Sequence, residues 1–422
     1  MAESAPVPKN ILRGHKAQVH AAVFLRNNER LATGDAEGFV ALWDLTIMRP
    51  RAVWRPHESA ILGIRGWGPD KVITHGRDHK LIVWKIAAED EERLSVALPL
   101  EDVPTPRPQP WMLHLLQVNT MNFCSFGACS SDAANDSFSI DGADEIHIAV
   151  PNTLASDAAG KDTGMAMALA LLNLKGALTL ITAFENGFAS VHRLKSSGEW
   201  VIMYRTQAHT QPILSLDVHP GLEYFLTSSA DDVIAKHPIP VVQQEVMPDF
   251  DPNNRIIEEI DDSPSDTPSL LSGQLRGDSK AGRSSNTTLK EWEHPTKTIS
   301  TKHSGQQGLR IRSDGRIFTT AGWDSKVRVY SCKTMKELAV LQWHKVGCYA
   351  VAFAGIDSPN ATQTPGQAPA STTQQSSADV KSLVQTKREG MSVKDRRIHQ
   401  ARTAHWVAAG AKDGKISLWD IY

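Results

Sequence analysis

The chain has 422 residues, a formal net charge of −2 and 22% charged residues, a balance that speaks against a general nucleic-acid binder, which presents a basic domain or stripe. No apolar run reaches the roughly 18 residues of a spanning helix, and MAESAPVPKN lacks the basic start and apolar stretch of a secretory signal. Its 4 cysteines make no disulfide framework and fit a reducing compartment, so a soluble intracellular protein is expected.

In chain order, the first pattern is VPKNILRGH (Val7 to His15), a short strand running into a Gly-His pair. VHAAVFL, ERLATGD and FVALWDL follow, each alternating with period two and broken at Gly, Asp or Asn, as antiparallel strands joined by tight turns do. His15 precedes Glu37 by 22 residues, and Glu37 precedes Trp43 by 6. The same unit returns with His57, Asp78 and Trp84. WMLHLLQVNTMNFCSFG then reads as the start of a third unit and DEIHIAVPNT as its second inner strand. Cys124 and Cys129, in that unit, have no second ligand pair nearby and read as ordinary strand cysteines. Between Thr153 and Gly164 only 10 residues intervene, too few for the two strands still owed. Either this unit is incomplete or the sequence is a splice or gene-model variant lacking a segment.

A fourth unit runs through GMAMALALLNLKGALTLITAFENGFASVHRL, where Asn186 and His192 stand in place of acid and aromatic. The fifth pairs His209 with Asp231 at 22 residues and Asp231 with His237 at 6. The sixth pairs His303 with Asp324 at 21 and Asp324 with Tyr330 at 6. In the last unit His344 precedes Asp413 by 69, because a low-complexity segment interrupts it, and the chain closes on KISLWDIY.

Units of about 40–45 residues with Gly-His near the start and Trp-Asp near the end are the WD signature of a β-propeller. An all-β, seven-bladed propeller in a single domain over residues 1–422 is therefore expected, with the third blade in question. Within each blade a His, a hydroxyl, a turn acid and an aromatic can hydrogen-bond in series, which is how buried polar groups are tolerated. The expected staples are His15, Thr33, Glu37 and Trp43; His57, Thr74, Asp78 and Trp84; His209 and Asp231; His303 and Asp324; and His344, Asp413 and Trp419. A His with an acid and a hydroxyl resembles a catalytic triad, but an active site does not recur blade after blade. No enzyme, metal or cofactor site is expected.

Three segments fall outside the repeat, at about 87–109, 241–289 and 356–404; they are rich in Pro, Ser, Thr, Gln and charge and read as mobile. The first two lie between the third and fourth strands of a blade and the third between the first and second, so all three should leave by one rim. Ser263 and Thr267 precede prolines in an acidic context and are candidate phosphorylation sites. The strand ending in Tyr422 has no successor, and the strand around Ile11 and Leu12 has no blade of its own. Pairing the two would close the ring without an open edge.

With the repeats laid out, LRGHKAQVHAAVFL, WMLHLLQVNTMNFCSF, IAVPNT, KDTGMAMAL, AGWDSKVRVYSCKTMKELAVLQWHK and AAGAKDGKISLWDIY together resemble the fungal ASTRA-associated protein 1 family, related to the animal guanine-nucleotide-binding β-subunit-like WD protein. The likeness spans nearly the whole chain. It departs in the third unit, where the family carries further residues between AVPNT and GMAMAL. The resemblance implies a non-catalytic scaffold in a nuclear assembly linked to chromatin regulation, with the cytoplasm as a second location. It implies as partners the Triple-T co-chaperone proteins, the pontin and reptin AAA+ ATPases and phosphatidylinositol-3-kinase-related proteins, with no direct nucleic acid and no membrane. A reader of histone tails or modified peptides through the central channel is the competing expectation; an acidic ring at the channel mouth would favour it.

Overall fold

A computed structural model describes residues 6–101, 106–120, 122–132, 139–151, 163–240, 294–356 and 391–421. Strand β1 (Asn10–Arg13) is followed by four strands of five to seven residues, β2 (Val19–Leu25), β3 (Arg30–Asp35), β4 (Val40–Asp44) and β5 (Arg49–Trp54), which form blade 1 in sequential order. Blade 2 is β6 (Ile61–Trp67), β7 (Lys71–Gly76), β8 (Lys80–Lys85) and β9 (Trp111–Gln117). After β10 (Gly127–Ser130) and β11 (Ile146–Ala149), blade 4 is β12 (Ala166–Leu174), β13 (Ala177–Phe184), β14 (Phe188–Leu194) and β15 (Trp200–Gln207). Blade 5 is β16 (Ile213–Val218), β17 (Tyr224–Ser229), β18 (Val233–Pro238) and β19 (Lys297–Ser300). Blade 6 is β20 (Gln306–Ile311), β21 (Ile317–Gly322), β22 (Lys326–Ser331) and β23 (Glu337–Gln342).

The last blade joins both ends of the chain. β24 (Cys348–Phe353), β25 (Trp406–Ala411) and β26 (Lys415–Asp420) supply three strands, and β1 is the fourth, antiparallel to β26 with Ile11 opposite Ser417 and Leu12 opposite Ile416. Leu12 is buried among Val19, Trp43, Trp406 and Leu418, a contact of about 1.5–3 kcal/mol for one leucine. Glycine seals the same seam: Gly414 turns at φ +74°, and a Cβ there would stand 2.1 Å from the His15 carbonyl oxygen.

The third sector differs from the seven-bladed expectation. Six sheets have four strands, and the third has two, β10 paired with β11. The segment beginning WMLHLLQ is the fourth strand of blade 2, not the opening of a third blade. Among the described residues nothing follows β11 in its sheet, and residues 152–162 lie outside them. On β9, the outer strand of blade 2, Trp111 is 74% exposed and Met112, Leu115 and Leu116 are exposed too. Elsewhere the apolar core sits between neighbouring blades; Val40, Leu42 and Trp54 of blade 1, for instance, meet Ile61, Ile82 and Trp84 of blade 2.

Two of the segments expected to be mobile are partly built into the ring. Residues 87–101 cross blade 1: Ser95 accepts from Val53 N at 2.7 Å, Leu98 packs on the core beside Leu12, and Leu100 N donates to Gly14 O at 3.1 Å. Their anchor is Glu91, 1% exposed in a short 3-10 turn (Asp90–Arg93). Its carboxylate meets Arg26, Arg30 and Arg51, so a charge that sequence reads as solvated is buried against three guanidinia. Acid-rich composition misled because the neutralising arginines lie far away in sequence. In blade 7, residues 393–403 form helix α1 (Val393–Thr403), capped by Ser392 and tied to blade 1 where Arg402 Nε donates to Glu29 at 2.7 Å. In strand order, residues 86–110 lie between the third and fourth strands of blade 2, and helix α1 lies between the first and second strands of blade 7; residues 241–293 and 357–390 lie outside the described residues. Ser263 and Thr267 lie outside the described residues.

Candidate functional site

Blade 2 holds the full staple. Trp84 Nε1 lies 2.9 Å from Thr74 Oγ1, Thr74 Oγ1 lies 2.9 Å from His57 Nε2, and His57 Nδ1 lies 2.8 Å from Asp78 Oδ1. The proton order follows from valence. An indole N–H can only donate, so the threonine oxygen accepts it and gives its single hydrogen to His57 Nε2. Nδ1–H then donates to Asp78. Burial, outweighing Asp78, lowers the His57 pKa and keeps the ring neutral.

Blade 1 builds the same chain with a different acid. His15 Nε2 meets Thr33 at 2.8 Å and Trp43 Nε1 donates to Thr33 at 2.8 Å, but His15 Nδ1 lies 2.7 Å from Asp35, not Glu37. Asp35 closes β3 and also accepts from the Glu37 and Phe39 backbone N–H groups. The six-residue offset to tryptophan selected Glu37, whereas a carboxylate one methylene shorter and two residues earlier reaches the imidazole while fixing the turn.

In blade 5, His209 stands 3.2 Å from Asp231 and 2.8 Å from Thr227. His237 takes the aromatic position. Tyr204 O–H donates to its Nδ1 at 2.8 Å, which leaves Nε2–H to donate to Thr227 at 2.8 Å as an indole would. Complete burial pushes the His237 pKa down to about 3. Thr227 and Tyr204 escaped sequence reading; the Thr-to-aromatic spacing of 10, shared by Thr33–Trp43, Thr74–Trp84 and Thr227–His237, was the available signal.

Blades 6 and 7 depart. His303 is half-exposed and stands 3.8 Å from Asp324. Gln306 takes its place: Thr320 Oγ1 donates to Gln306 Oε1 at 2.7 Å, and Gln306 Nε2 donates to His303 O at 2.9 Å. Asp324 instead holds the buried Arg328, at 3.1 and 2.5 Å. In blade 7, Trp419 Nε1 donates to Ser417 at 2.8 Å and Ser417 Oγ lies 2.8 Å from His344 Nε2, while Asp413 pairs with Lys415 at 2.6 Å. The acid is thus absent from the His344 bond chain, and the hydroxyl has moved from the second strand to the third. Blade 4 keeps a bond of 2.8 Å between Ser190 and His192. Cys124 and Cys129 are free and buried, and burial pushes their thiols up to about 12 and about 11.

In blades 1, 2 and 5 both imidazole nitrogens are committed, so these sets carry no free base for chemistry. A concavity of about 430 Å³ lies in the central channel, walled by the first strand of every sector including Phe123–Gly127 of the third. Among the described residues its charged wall residues are Arg65, Asp217 and Arg310, and these form no acidic ring.

Over nearly its full length the chain is similar to proteins named ASTRA-associated protein 1. It is 47% identical to that of Pyricularia oryzae over 472 residues, covering 98% of this chain and 97% of the relative. It is 49% identical to that of Verticillium alfalfae over 440 residues, covering 99% and 93%. The chain belongs to the ASTRA-associated protein 1 family. The family's repeat is visible as well: the description "WD domain, G-beta repeat" matches residues 6–44, 200–235 and 294–331. Each match opens on the fourth strand of one blade (β1, β15 or β19) and runs into the next, which is how the two termini come to share a blade. Among solved structures, the Myceliophteria thermophila Cps50 (Swd1) β-propeller domain is similar at TM-score 0.53 and 12% identity, covering 99% of this chain and 100% of that one. That likeness concerns the fold alone. The alignment to the Pyricularia member of the ASTRA-associated protein 1 family runs over 472 positions against 422 residues here, so that relative carries at least 50 positions without a counterpart (472 − 422).

Proposed function

We propose that this chain is a non-catalytic scaffold subunit of a nuclear ASTRA-type assembly that regulates chromatin and matures kinase-like proteins. The observation that carries the reading is near-full-length similarity to proteins named ASTRA-associated protein 1. The bonding pattern supports it, because the groups that imitate a triad are spent on holding strands together. The partners in this reading are the Triple-T co-chaperone proteins, pontin and reptin, and phosphatidylinositol-3-kinase-related proteins, bound on the propeller's surfaces. The histone-tail reading finds no support in the channel, where two arginines face one aspartate and a basic tail would meet like charge.

Affinity purification of the tagged full chain from nuclear extract, read by mass spectrometry, tests the reading. Recovery of co-chaperone and kinase-like subunits together is the expected result. Recovery of histones without them would replace the scaffold with the reader.

A further inference from the structure

Six first strands share one irregularity. Their register slips by a residue before Ala21, Gly63, Ala168, Ser215, Gly308 and Ala350. Two residues past each slip is one equivalent position per blade, filled by Val23, Arg65, Ala170, Asp217, Arg310 and Ala352. Three of these residues are small or short and leave the channel open at this level. The other three are charged, and they are the charged residues of the channel wall.

Each charged side chain has a fixed role that leaves capacity over. Arg65 Nη1 donates to Ala128 O of the third sector at 2.8 Å. Arg310 Nη1 donates to its neighbour's carbonyl, Leu309 O, at 2.8 Å, and Arg310 is exposed to the channel. Asp217 is turned to the backbone: its Oδ2 accepts from Ile311 N at 2.7 Å. A guanidinium has five N–H donors, so most of those on Arg65 and Arg310 stay uncommitted by the bonds formed within the wall. Arg65 is half-buried and close enough to Arg310 for the two charges to oppose each other, with Asp217 near enough to both to offset part of that repulsion. An arrangement of this kind, two planar forks with one carboxylate already engaged by peptide N–H, suits a ligand rich in acceptor oxygens and negative charge.

We propose that the channel binds a phosphoryl oxyanion between Arg310 and Arg65. Tetrahedral phosphate offers each fork two acceptors and relieves the repulsion between them. A volume of about 430 Å³ exceeds that of one phosphate, so the group can arrive free or as an ester on a larger molecule entering the channel. The site is independent of the scaffold reading and of the staples.

Calorimetry on the full chain tests it with two probes, inorganic phosphate and O-phosphoserine, against potassium chloride at matched ionic strength. Saturable binding of inorganic phosphate means the free ion suffices; saturable binding of phosphoserine alone means an ester is the source, and either supports the site. Arg310→Gln removes a channel-exposed charge without touching the core, and it should weaken binding about tenfold or more with an unchanged melting temperature in chloride. Asp217→Asn keeps the acceptor for Ile311 N and removes the opposing charge, so it should tighten binding several-fold. Absence of saturable binding with both probes, or equal affinity in wild type and Arg310→Gln, overturns the proposal; so does an Asp217→Asn variant that binds no tighter.

Discussion

Blades 2 and 6 carry the same spacing, a histidine 21 residues before an aspartate and an aromatic 6 after it, yet they are held by different chemistry. In blade 2 a neutral imidazole links Thr74 to Asp78. In blade 6 the histidine stays half-exposed, a glutamine satisfies the threonine, and a buried arginine neutralises the acid. What the blades share is a requirement, not a residue: a buried hydroxyl and a turn carboxylate must each find a partner. Whichever side chain reaches them without strain fills the role.

Acid should separate the two kinds of blade most strongly. His237 is held neutral with a pKa of about 3, His75 at about 4, and His57 and His344 are also lowered by burial. Since unfolded histidine titrates near 6.5, the unfolded chain takes up protons that the folded one refuses between about pH 6.5 and 3. Stability is therefore complete above that window and falls as pH drops through it, by about 2–3 kcal/mol at pH 4.5 for His237 alone. Hydrogen exchange resolved by strand should show β17 and β7 losing protection at pH 4.5 before β21, where Gln306 and Arg328 take the place of a buried histidine. Equal loss in all three would break the distinction.

A smaller effect is expected in blade 6 itself. Arg328→Ala leaves Asp324 without its buried guanidinium, although Asp324 is partly exposed, so the loss in urea denaturation should be about 2 kcal/mol, below the 3–5 of a fully buried pair. The least effect sharpens blade 1. Asp35→Asn, which gives up a charged acceptor of three hydrogen bonds, should cost about 1–2 kcal/mol, while Glu37→Gln stays within about 0.5. Equal costs would return the staple to Glu37.

Much of the architecture was legible because it is repeated. Alternation and the Gly-His to Trp-Asp interval located four-stranded units, and the strand orphaned at each terminus indicated a shared blade, which β1 and β26 form. The interval did not tell which acid or hydroxyl completes each staple, since that depends on reach: Asp35 is two residues from the expected position, and Ser417 lies on a different strand from Thr74. Composition failed for residues 87–101 for a related reason. Glu91 is stabilised by arginines 40 to 65 residues away in sequence, and local charge content carries no trace of them. The channel pair Arg65 and Arg310 was equally hidden, because only closure of the ring brings blades 2 and 6 onto one cavity.

The central claim, that equal spacing conceals unequal staples, is tested most directly by two double-mutant cycles measured in urea. One removes His57 and Asp78 singly and together, and the other removes His303 and Asp324. Coupling of about 1.5–3 kcal/mol in blade 2 with coupling within about 0.5 kcal/mol in blade 6 is the predicted result. Equal coupling in the two blades would contradict the account.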